Sequence, residues 1–430
     1  MVWAGIPPAL AIFRKTKRKG GIFNLMDQKT IKPAHPHEHL NNVHKTYAAL
    51  LLITACCFAL EYAPQPMYNT ISRVYGTSHG VTVLLVSVYM LSLSVAPLFV
   101  GILLDRFGIR RAILAATALL GASAAGIALA SSFPVLLATR CFQALLAPVI
   151  LTAVLTAIAS LFRHLHQGQA LAGYIAATLT GALTGRLAGG WGADCFGWRE
   201  TIIFFCLLFL PALPLLRKMP EIQRSSSSAQ PHLSDYLRLL RQPGIGAVVL
   251  AEACGLFIFA AVGNLIPFRM AELGKGDSSA LIGLMYTGYA IGLVATLILE
   301  PLKRLLKSNG RLLLAAAFFY VLSVTALSRP SVTVLFAGIW GMAFGQFVVH
   351  AMSPGLINMF AAQGEGGCNR AMANGLFLSC TYLGGLLGSW LPAEIYSRCG
   401  WTTCYVCLQA TVALLFAVVL KLVLTRPELR

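Results

Sequence analysis

Five ionisable side chains interrupt long apolar runs of this sequence. They are Glu61, Arg140, Arg186, Glu252 and His350. A charged group at the centre of a bilayer costs about 2.5 kcal/mol or more, so each of these residues needs a chemical reason to be there. Glutamate and histidine can take up protons or bind a solute, and a guanidinium group can hold an anion or pair with a carboxylate.

Two interpretations of these residues are open at the level of sequence. In the first, Glu61 and Glu252 are alternately protonated or bound to a solute, and His350 is a third titrating group. In the second, the charges form static ion pairs that fix helix packing. At about 1.5 Å of rise per residue, Glu61, Arg140 and Arg186 lie at similar depths, which predicts one buried charge cluster. We favour proton or solute binding for the two glutamates and a structural role for Arg186.

The composition is that of a membrane protein. Of 430 residues, 57% are hydrophobic and 11% are charged, whereas soluble domains carry about 25% charged residues. A net charge of +18 would suggest nucleic acid in a soluble protein, but here it predicts basic loops facing anionic lipid. No nucleic-acid partner is expected. The eleven cysteines show no metal-ligand spacing, and no metal or cofactor is expected.

The hydropathy pattern predicts about twelve membrane-spanning helices in two sets of six, because a span needs roughly 20 apolar residues. The predicted spans are 46–66, 80–103, 112–131, 134–162, 169–193, 199–217, 244–270, 279–301, 311–328, 331–361, 371–394 and 402–423.

The segments outside the spans complete the predicted organisation. Residues 1–45 are predicted to be a disordered basic tail, with Met26 as an alternative start and with a histidine cluster that a solvated tail explains better than a metal site. A Ser-rich linker, 218–243, separates the first bundle (46–217) from the second (244–424), and 425–430 form a short tail. Loops on the side of both termini hold 25 of the 33 lysines and arginines, and the opposite loops hold six. This asymmetry predicts that both termini are cytoplasmic.

The two halves carry weak matches to each other at an offset near 200 residues. This order of matches predicts two parallel six-helix repeats. The matched positions are Ala55-Cys56 with Ala253-Cys254, Gly76 with Gly274, Gly173 with Gly375, and Gly197-Trp198 with Gly400-Trp401.

A short charged stretch, GILLDRFGIRR, lies between the second and third predicted spans. Such a stretch cannot lie in hydrocarbon, so it predicts a tight turn at the membrane surface. Its pattern resembles the signature loop between helices two and three of the major facilitator superfamily of transporters. The residues that carry this resemblance are Gly101, Asp105, Arg106, Gly108, Arg110 and Arg111.

The resemblance extends beyond this loop. Arg140 in LLATRCFQAL is similar to the superfamily's intramembrane arginine motif, and GALTGRLAGGWGADCFGWR is similar to the glycine-rich fifth-helix motif of proton-coupled exporters. Arg186 stands where that motif usually has proline, which is a departure from it. The second-half loop EPLKRLLKSNGR keeps Gly310 but has lost the acidic residue of the signature.

The resemblance implies the all-α major facilitator fold of two pseudo-symmetric bundles, with helices one, four, seven and ten around a central cavity. Glu61, Arg140, Glu252 and His350 fall on those helices and are the expected proton-coupling or substrate-binding residues. The signature loop is expected to latch the halves, with Asp105 bonded near Arg370. The small-residue spacing on helix five predicts close helix packing, or else a sliding contact between the halves. Its residues are Gly181, Gly185, Gly189 and Gly190.

The function that the resemblance implies is secondary transport in a bacterial inner membrane, by a chain that is not an enzyme and acts as a monomer. Proton-coupled export of a small organic molecule is the first expectation. An uptake symporter for a sugar, organic acid or other solute is the alternative, and a non-transporting receptor or scaffold is a second one.

Overall fold

The described part of the chain is all-helical. A computed structural model describes residues 36–162, 167–222, 233–363 and 370–429, and four 3-10 turns (Gln65–Met67, Leu210–Ala212, Tyr286–Ala290 and Pro427–Leu429) accompany its α-helices. In chain order the helices are α1 (Pro36–Tyr62), α2 (Tyr68–Tyr75), α3 (His79–Thr82), α4 (Leu84–Phe107), α5 (Ile109–Ala122), α6 (Ala124–Ala128), α7 (Phe133–Leu161), α8 (Gln167–Phe196), α9 (Trp198–Leu207), α10 (Leu213–Arg217), α11 (Leu233–Leu240), α12 (Pro243–Glu272), α13 (Ser279–Met285), α14 (Ile291–Leu297), α15 (Leu299–Leu306), α16 (Asn309–Ala326), α17 (Val332–Gln363) and α18 (Arg370–Thr425).

The helices have the length and composition of membrane spans. Within the described residues, nine are long and apolar enough to cross a membrane, or up to ten if the bent pair Leu84–Ala96 and Val100–Phe107 forms one span. Each of the twelve predicted segments coincides with helical structure. Helix α18 holds the last two of them and is interrupted at Gly400, where φ is 77° and ψ is 178°. The total of twelve spans therefore stays a prediction.

Two segments differ from their predicted structure. Helix α1 begins at Pro36, ten residues before the predicted span, so residues 36–45 are helical. Met26 and residues 1–35 of the predicted basic tail lie outside the described residues. The predicted flexible linker contains helix α11, and its residues 223–232 are likewise outside the described part.

The buried side chains form two large hydrophobic cores. One is built mainly from residues 49–219 and the other from residues 239–429. We call residues 36–222 the first half and residues 233–429 the second half. Because successive spans alternate in direction, the turns that contain Asp105 and Asp194 lie at opposite ends of the molecule. These are named the Asp105 end and the Asp194 end.

Equivalent small-residue seams run through both halves. A Cβ added at Gly181 would come within 2.2 Å of the Ala55 carbonyl oxygen, and a Cβ added at Gly384 would come within 2.3 Å of the Ala253 carbonyl oxygen. Ala55 and Ala253 are one of the pairs matched in the sequence. The helices therefore approach backbone to backbone at corresponding places, as glycine permits.

The turns of the two halves are also alike. Gly76 and Gly274 have φ values of 64° and 70°, and Gly197 and Gly400 have φ values of 103° and 77°. These left-handed conformations favour glycine, because a Cβ would clash with the backbone there. Both pairs were matched in the sequence, so the repeat extends to backbone conformation.

Candidate functional site

A buried carboxylate in the second half is surrounded by hydrogen-bond donors from one helix. Glu252 on α12 is fully buried. Its Oε1 accepts from Gln346 Nε2 at 3.0 Å and lies 2.6 Å from His350 Nδ1. Its Oε2 accepts from Ser353 Oγ at 3.2 Å. Gln346, His350 and Ser353 occupy positions i, i+4 and i+7 of α17, which lie on one helix face.

The histidine of this group is the member that water or a solute can reach. The His350 side chain is 46% exposed, whereas that of Glu252 is 0% exposed. The ring lies deep in the protein, with the buried Phe377 ring 6.4 Å away, so its exposed surface borders an internal space. Because Nδ1 faces Glu252, it is Nε2 that is left for other partners. The pair can pass a proton between this space and a buried carboxylate.

Arg140, in the first half, is enclosed by backbone acceptors. Its side chain is fully buried on α7. The guanidinium donates to the carbonyl oxygens of Leu85, Leu60 and Glu61 at 2.9, 3.0 and 2.9 Å. It also donates to Gln143 Oε1 at 2.8 Å, and it lies over the Tyr89 ring. These bonds tie α7 to α1 and α4 and leave the group little capacity to bind a solute.

The predicted charge cluster does not form as ion pairs. Glu61 is 2% exposed, and its Oε1 atom has no hydrogen-bond partner among the described residues. Arg140 bonds the backbone carbonyl of Glu61 and not its carboxylate. The acceptors of both arginines are instead backbone carbonyls and amide oxygens brought by neighbouring helices.

Arg186 joins the two halves. Its Nε donates to Gln65 Oε1 at 2.6 Å, and its guanidinium carbon lies 3.9 Å from the centre of the Tyr62 ring in the first half. It also lies 5.2 and 4.9 Å from the ring centres of Tyr286 and Tyr289 in the second half. Cation–π contacts with three rings hold this charge inside the protein without an acidic partner.

Further polar contacts hold the halves together at the Asp194 end. Asp194 accepts from Ser279 N at 2.9 Å, Ala280 N at 3.0 Å and Ser278 Oγ at 2.8 Å. Asn69 Nδ2 donates to the carbonyl oxygens of Pro267 and Gly276 at 2.8 and 3.2 Å.

A chain of amides and hydroxyls continues this contact into the interior. Gln65 Nε2 donates to Asn264 Oδ1 at 2.7 Å, Asn264 donates to the Ser389 carbonyl, and Ser389 Oγ donates to Ser87 Oγ at 2.6 Å. The chain passes from the first half to the second and back.

The charged signature loop lies against the linker at the Asp105 end. Arg110 forms an ion pair of 3.2 Å with Glu221 and donates to the Met219 carbonyl at 3.3 Å. A cavity of about 490 Å³ is lined by residues 104–111 together with Glu221 and Ile222. The expected partner of Asp105 near Arg370 falls where side chains lie outside the described residues.

The glycines of α8 take two different roles. Gly181 and Gly185 face the α1 backbone at Ala55 and Ala59, and Gly189 faces the backbone of Ala63, just after α1, all within the first half. Gly190 instead faces Ser279 and Ala280 of α13 in the second half, where an added Cβ would come within 2.3 Å of the Ser279 carbonyl oxygen. Gly190 alone of the four is thus placed where the halves could slide.

Several residues of these networks are polar rather than charged, and sequence reasoning missed them. Gln346 and Ser353 flank His350 at helical spacing, which is a usable signal. Gln65 and Asn264 carry no charge and stand out less in an apolar run. Asp194 lies at a helix end, where a carboxylate is ordinarily hydrated.

Two cores of packed helices with membrane-spanning composition, joined by contacts at one end, define a multi-pass membrane protein built as two bundles. The sequence profile of the Major Facilitator Superfamily matches residues 50–367. The chain belongs to this superfamily, whose members sit in membranes and transport small molecules.

Curated relatives are distant. The chain is 23% identical over 377 residues to the transcription regulatory protein OpdE of Pseudomonas aeruginosa, covering 83% of this chain and 89% of that protein. It is 25% identical over 292 residues to the efflux pumps FUBT of Fusarium oxysporum and FUB11 of Gibberella moniliformis, covering 59% of this chain. The match spans about half the length of each fungal pump, 49%.

Solved structures share the fold. A bacterial homologue of the human lysosomal transporter Spinster, inward-facing and occupied, superposes with a TM-score of 0.69 at 14% identity, covering 93% of this chain and 99% of that one. Its unoccupied inward-facing form gives a TM-score of 0.65 at 15% identity, covering 89% and 94%. At these identities the likeness concerns architecture.

Proposed function

We propose that this protein exports a small organic molecule in exchange for protons, by alternating access of the two halves. The observation that carries the proposal is the Glu252–His350 pair: a fully buried carboxylate 2.6 Å from an imidazole that is 46% exposed to an internal space. Ionisable groups inside spans mark ion or substrate pathways in membrane proteins. A proton on His350 can be exchanged with this space while Glu252 stays sheltered.

The contacts at the Asp194 end support the alternating-access part of the proposal. They hold the halves together at that end, and in the proposed arrangement the internal space opens at the Asp105 end. The lysine and arginine asymmetry predicts cytoplasmic termini, and in this proposal the Asp105 end therefore faces the cytoplasm and the Asp194 end faces outward. The protein is then an inner-membrane carrier closed to the outside. Rocking of the two repeats would reverse this arrangement.

Of the first-half candidates, we assign Arg140 a structural role. Its four hydrogen bonds to backbone and amide oxygens are better explained by helix positioning than by solute binding. Lysine cannot reproduce the geometry of these four bonds, and each buried acceptor left without a donor costs about 1 to 3 kcal/mol. Arg140→Lys should therefore lower the melting temperature more than it alters affinity for any transported solute.

The test is transport by reconstituted protein carrying Glu252→Gln. Proteoliposomes are loaded with ethidium, benzoate or lactose as cationic, anionic and neutral probes, and flux is followed with and without a pH gradient. For whichever probe the unmodified protein moves, the variant should lose gradient-driven flux and retain exchange. Glu300→Gln is the matched control, since Glu300 is an exposed residue paired with Lys303 on a short helix. Equal loss of both activities in Glu252→Gln would remove Glu252 from the proton-carrying role.

Uptake by symport is the second candidate, because direction depends on the order of coupling and not on the fold. Opposite pH gradients separate the two: export is driven when the side facing the Asp194 end is acidic and the solute starts on the other side. A regulatory or receptor role is a third candidate, since the Pseudomonas relative is named a transcription regulatory protein. Absence of flux for all three probes under either gradient would favour it.

A further inference from the structure

The Arg186 guanidinium lies between the two halves near the Asp194 end and contacts both of them. Two of the three rings around its guanidinium, Tyr286 and Tyr289, belong to the other half. Its hydrogen-bond acceptor Gln65 belongs to its own half but is itself bonded to Asn264 of the other. If the halves separate at this end, the guanidinium keeps Tyr62 and Gln65 and loses both second-half rings.

The Glu61 carboxylate lies about one helical turn away; it is hydrogen-bonded to the Tyr62 side chain, and its Oε1 atom is unused among the described residues. Glu61 precedes Gln65 by four residues, about 6 Å along the chain at helical rise; Glu61 is in the last turn of α1, and Gln65 begins the 3-10 turn that follows it. The Glu61 Oε1 atom is buried and has no hydrogen-bond partner among the described residues. Tyr62, whose ring lies 3.9 Å from the guanidinium, is the next residue after Glu61. A buried polar atom without a hydrogen-bond partner is unfavourable, so the closed arrangement leaves one Glu61 carboxylate oxygen unsatisfied.

We infer that Arg186 is a two-position switch between the halves: it sits on Gln65 and the second-half tyrosines when the Asp194 end is closed, and it moves to the Glu61 carboxylate when that end opens. The side chain can change position without a shift of the α8 backbone, because Glu61, Tyr62 and Gln65 belong to the same half as Arg186. Glu61 then stabilises the open state by accepting a charge-assisted bond that the closed state lacks.

The switch accounts for two observations that otherwise stay separate. An arginine stands in a glycine-rich helix at the junction of the halves, and a buried glutamate at a similar depth has one carboxylate oxygen without a hydrogen-bond partner among the described residues. A ligand or residue shifts an equilibrium only through contacts that differ between its states. Arg186 makes such contacts in each direction, aromatic ones in the closed state and an ionic one in the open state.

The experiment measures the distance across the Asp194 end. Spin labels are placed at Val74 and Lys275, exposed residues of the two halves. The exposed Cys141, Cys195 and Cys399 are replaced by serine, as is Cys368. Pulsed electron paramagnetic resonance in lipid nanodiscs then gives the proportions of short and long distances. Tyr289→Leu removes one of the rings that contact Arg186 in the closed state and should raise the long-distance population about two- to tenfold.

The decisive variant adds Glu61→Gln to Tyr289→Leu. Loss of the ionic acceptor should reverse the shift, lowering the long-distance population about tenfold or more, the scale of a hydrogen bond to a charged group. Glu300→Gln in the same background is the control and should change nothing. If Tyr289→Leu does not fold, Gln65→Leu is the alternative variant, because it removes the hydrogen-bond acceptor of Arg186 Nε in the closed state. Glu61→Gln should reverse the effect of Gln65→Leu as well.

The inference fails if Glu61→Gln leaves the long-distance population unchanged or raises it. It rests on the proposed function only in requiring the halves to rock, so flux is measured on the same variants. If Glu61→Gln reverses the distance shift but no probe is transported, the Arg186 switch is supported and transport of those probes is not. If a probe is transported but Glu61→Gln does not reverse the distance shift, the Arg186 switch is contradicted and the transport function is supported.

Discussion

Asp194 of the first half caps a helix of the second half at Ser279. Its Oδ1 accepts from the Ser279 backbone N–H at 2.9 Å, and its Oδ2 accepts from Ala280 N–H at 3.0 Å. The first N–H groups of a helix have no partner inside it, and a carboxylate there also meets the positive end of the helix dipole. The cap therefore joins the halves with bonds that neither half can make alone.

Removal of this cap should open the Asp194 end. Asp194→Ala deletes three acceptor contacts, and loss of an N-cap costs about 0.5 to 2 kcal/mol. The long-distance population between labels at Val74 and Lys275 should rise accordingly. Asp277→Ala is the matched control, because it breaks an exposed ion pair between Asp277 and Arg73. The Arg73 side chain is 64% exposed and that of Asp277 is 95% exposed, and such surface pairs contribute about 0 to 1 kcal/mol. An equal response of both variants would contradict a special role for the cap.

The same end should loosen in acid through His79. Its ring stacks on Phe268 of the other half at 4.0 Å, with Tyr396 at 5.3 Å, and its Nδ1 is buried without a partner among the described residues. Burial lowers the pKa of the His79 imidazole from its ordinary value, and the Glu272 carboxylate opposes that shift. Glu394 on α18 lies against Gly80, the residue after His79, and is paired with Arg398. Arg269 follows Phe268 on α12 and is paired with Glu272.

The direction of the pH effect follows from proton binding. In the open state His79 is hydrated and binds a proton with its ordinary pKa of about 6.5, so the open state holds more protons than the closed state below that pH. The long-distance population should therefore grow as pH falls from about 7.5 to 5. His79→Phe keeps the stacking and removes the titration, so the part of the response due to His79 should disappear. A response of unchanged size in that variant would assign it to other groups.

The close helix packing at Gly181 and Gly384 predicts that the same substitution destabilises both halves by similar amounts. Gly181→Ala and Gly384→Ala each place a Cβ within 2.3 Å of a backbone carbonyl oxygen, at Ala55 and Ala253. Overpacking of this kind costs about 1 to 3 kcal/mol, and both variants should lower the melting temperature by similar amounts. Gly375→Ala is the control, because its added Cβ meets nothing within 4 Å. A large difference between the two seams would argue against their equivalence.

Much of the architecture could be predicted from the sequence, because the length of an apolar segment and the position of a glycine determine structure in their own part of the chain. The spans, the repeat and the candidates Glu252 and His350 follow from such signals. Their contact at 2.6 Å does not, since it depends on the relative rotation of α12 and α17. The same holds for Arg140 and Arg186: their depths were predictable, but their acceptors are carbonyls, an amide and tyrosine rings brought by other helices.

Gly255 offers a way to test the carboxylate group without changing its charge. A Cβ added there would meet Gln346 Oε1 at 2.2 Å and Nε2 at 3.1 Å, so Gly255→Ala should push the amide away from Glu252. If Gln346 positions Glu252 for proton exchange, Gly255→Ala and Gln346→Leu should impair gradient-driven flux to a similar degree. The double variant should be no worse than either single one, because both remove the same hydrogen bond of 3.0 Å.

Two comparisons separate this positioning effect from general damage. Gly375→Ala should leave flux unchanged, and exchange that needs no net proton movement should survive in Gly255→Ala as in Glu252→Gln. The hydrogen bond contributes about 1.5 to 3 kcal/mol if its acceptor is charged, so its loss should slow coupled flux about tenfold or more. Additive losses in the double variant would mean that Gly255 and Gln346 act through different contacts, and Gln346 would then be no part of the proton-exchange site.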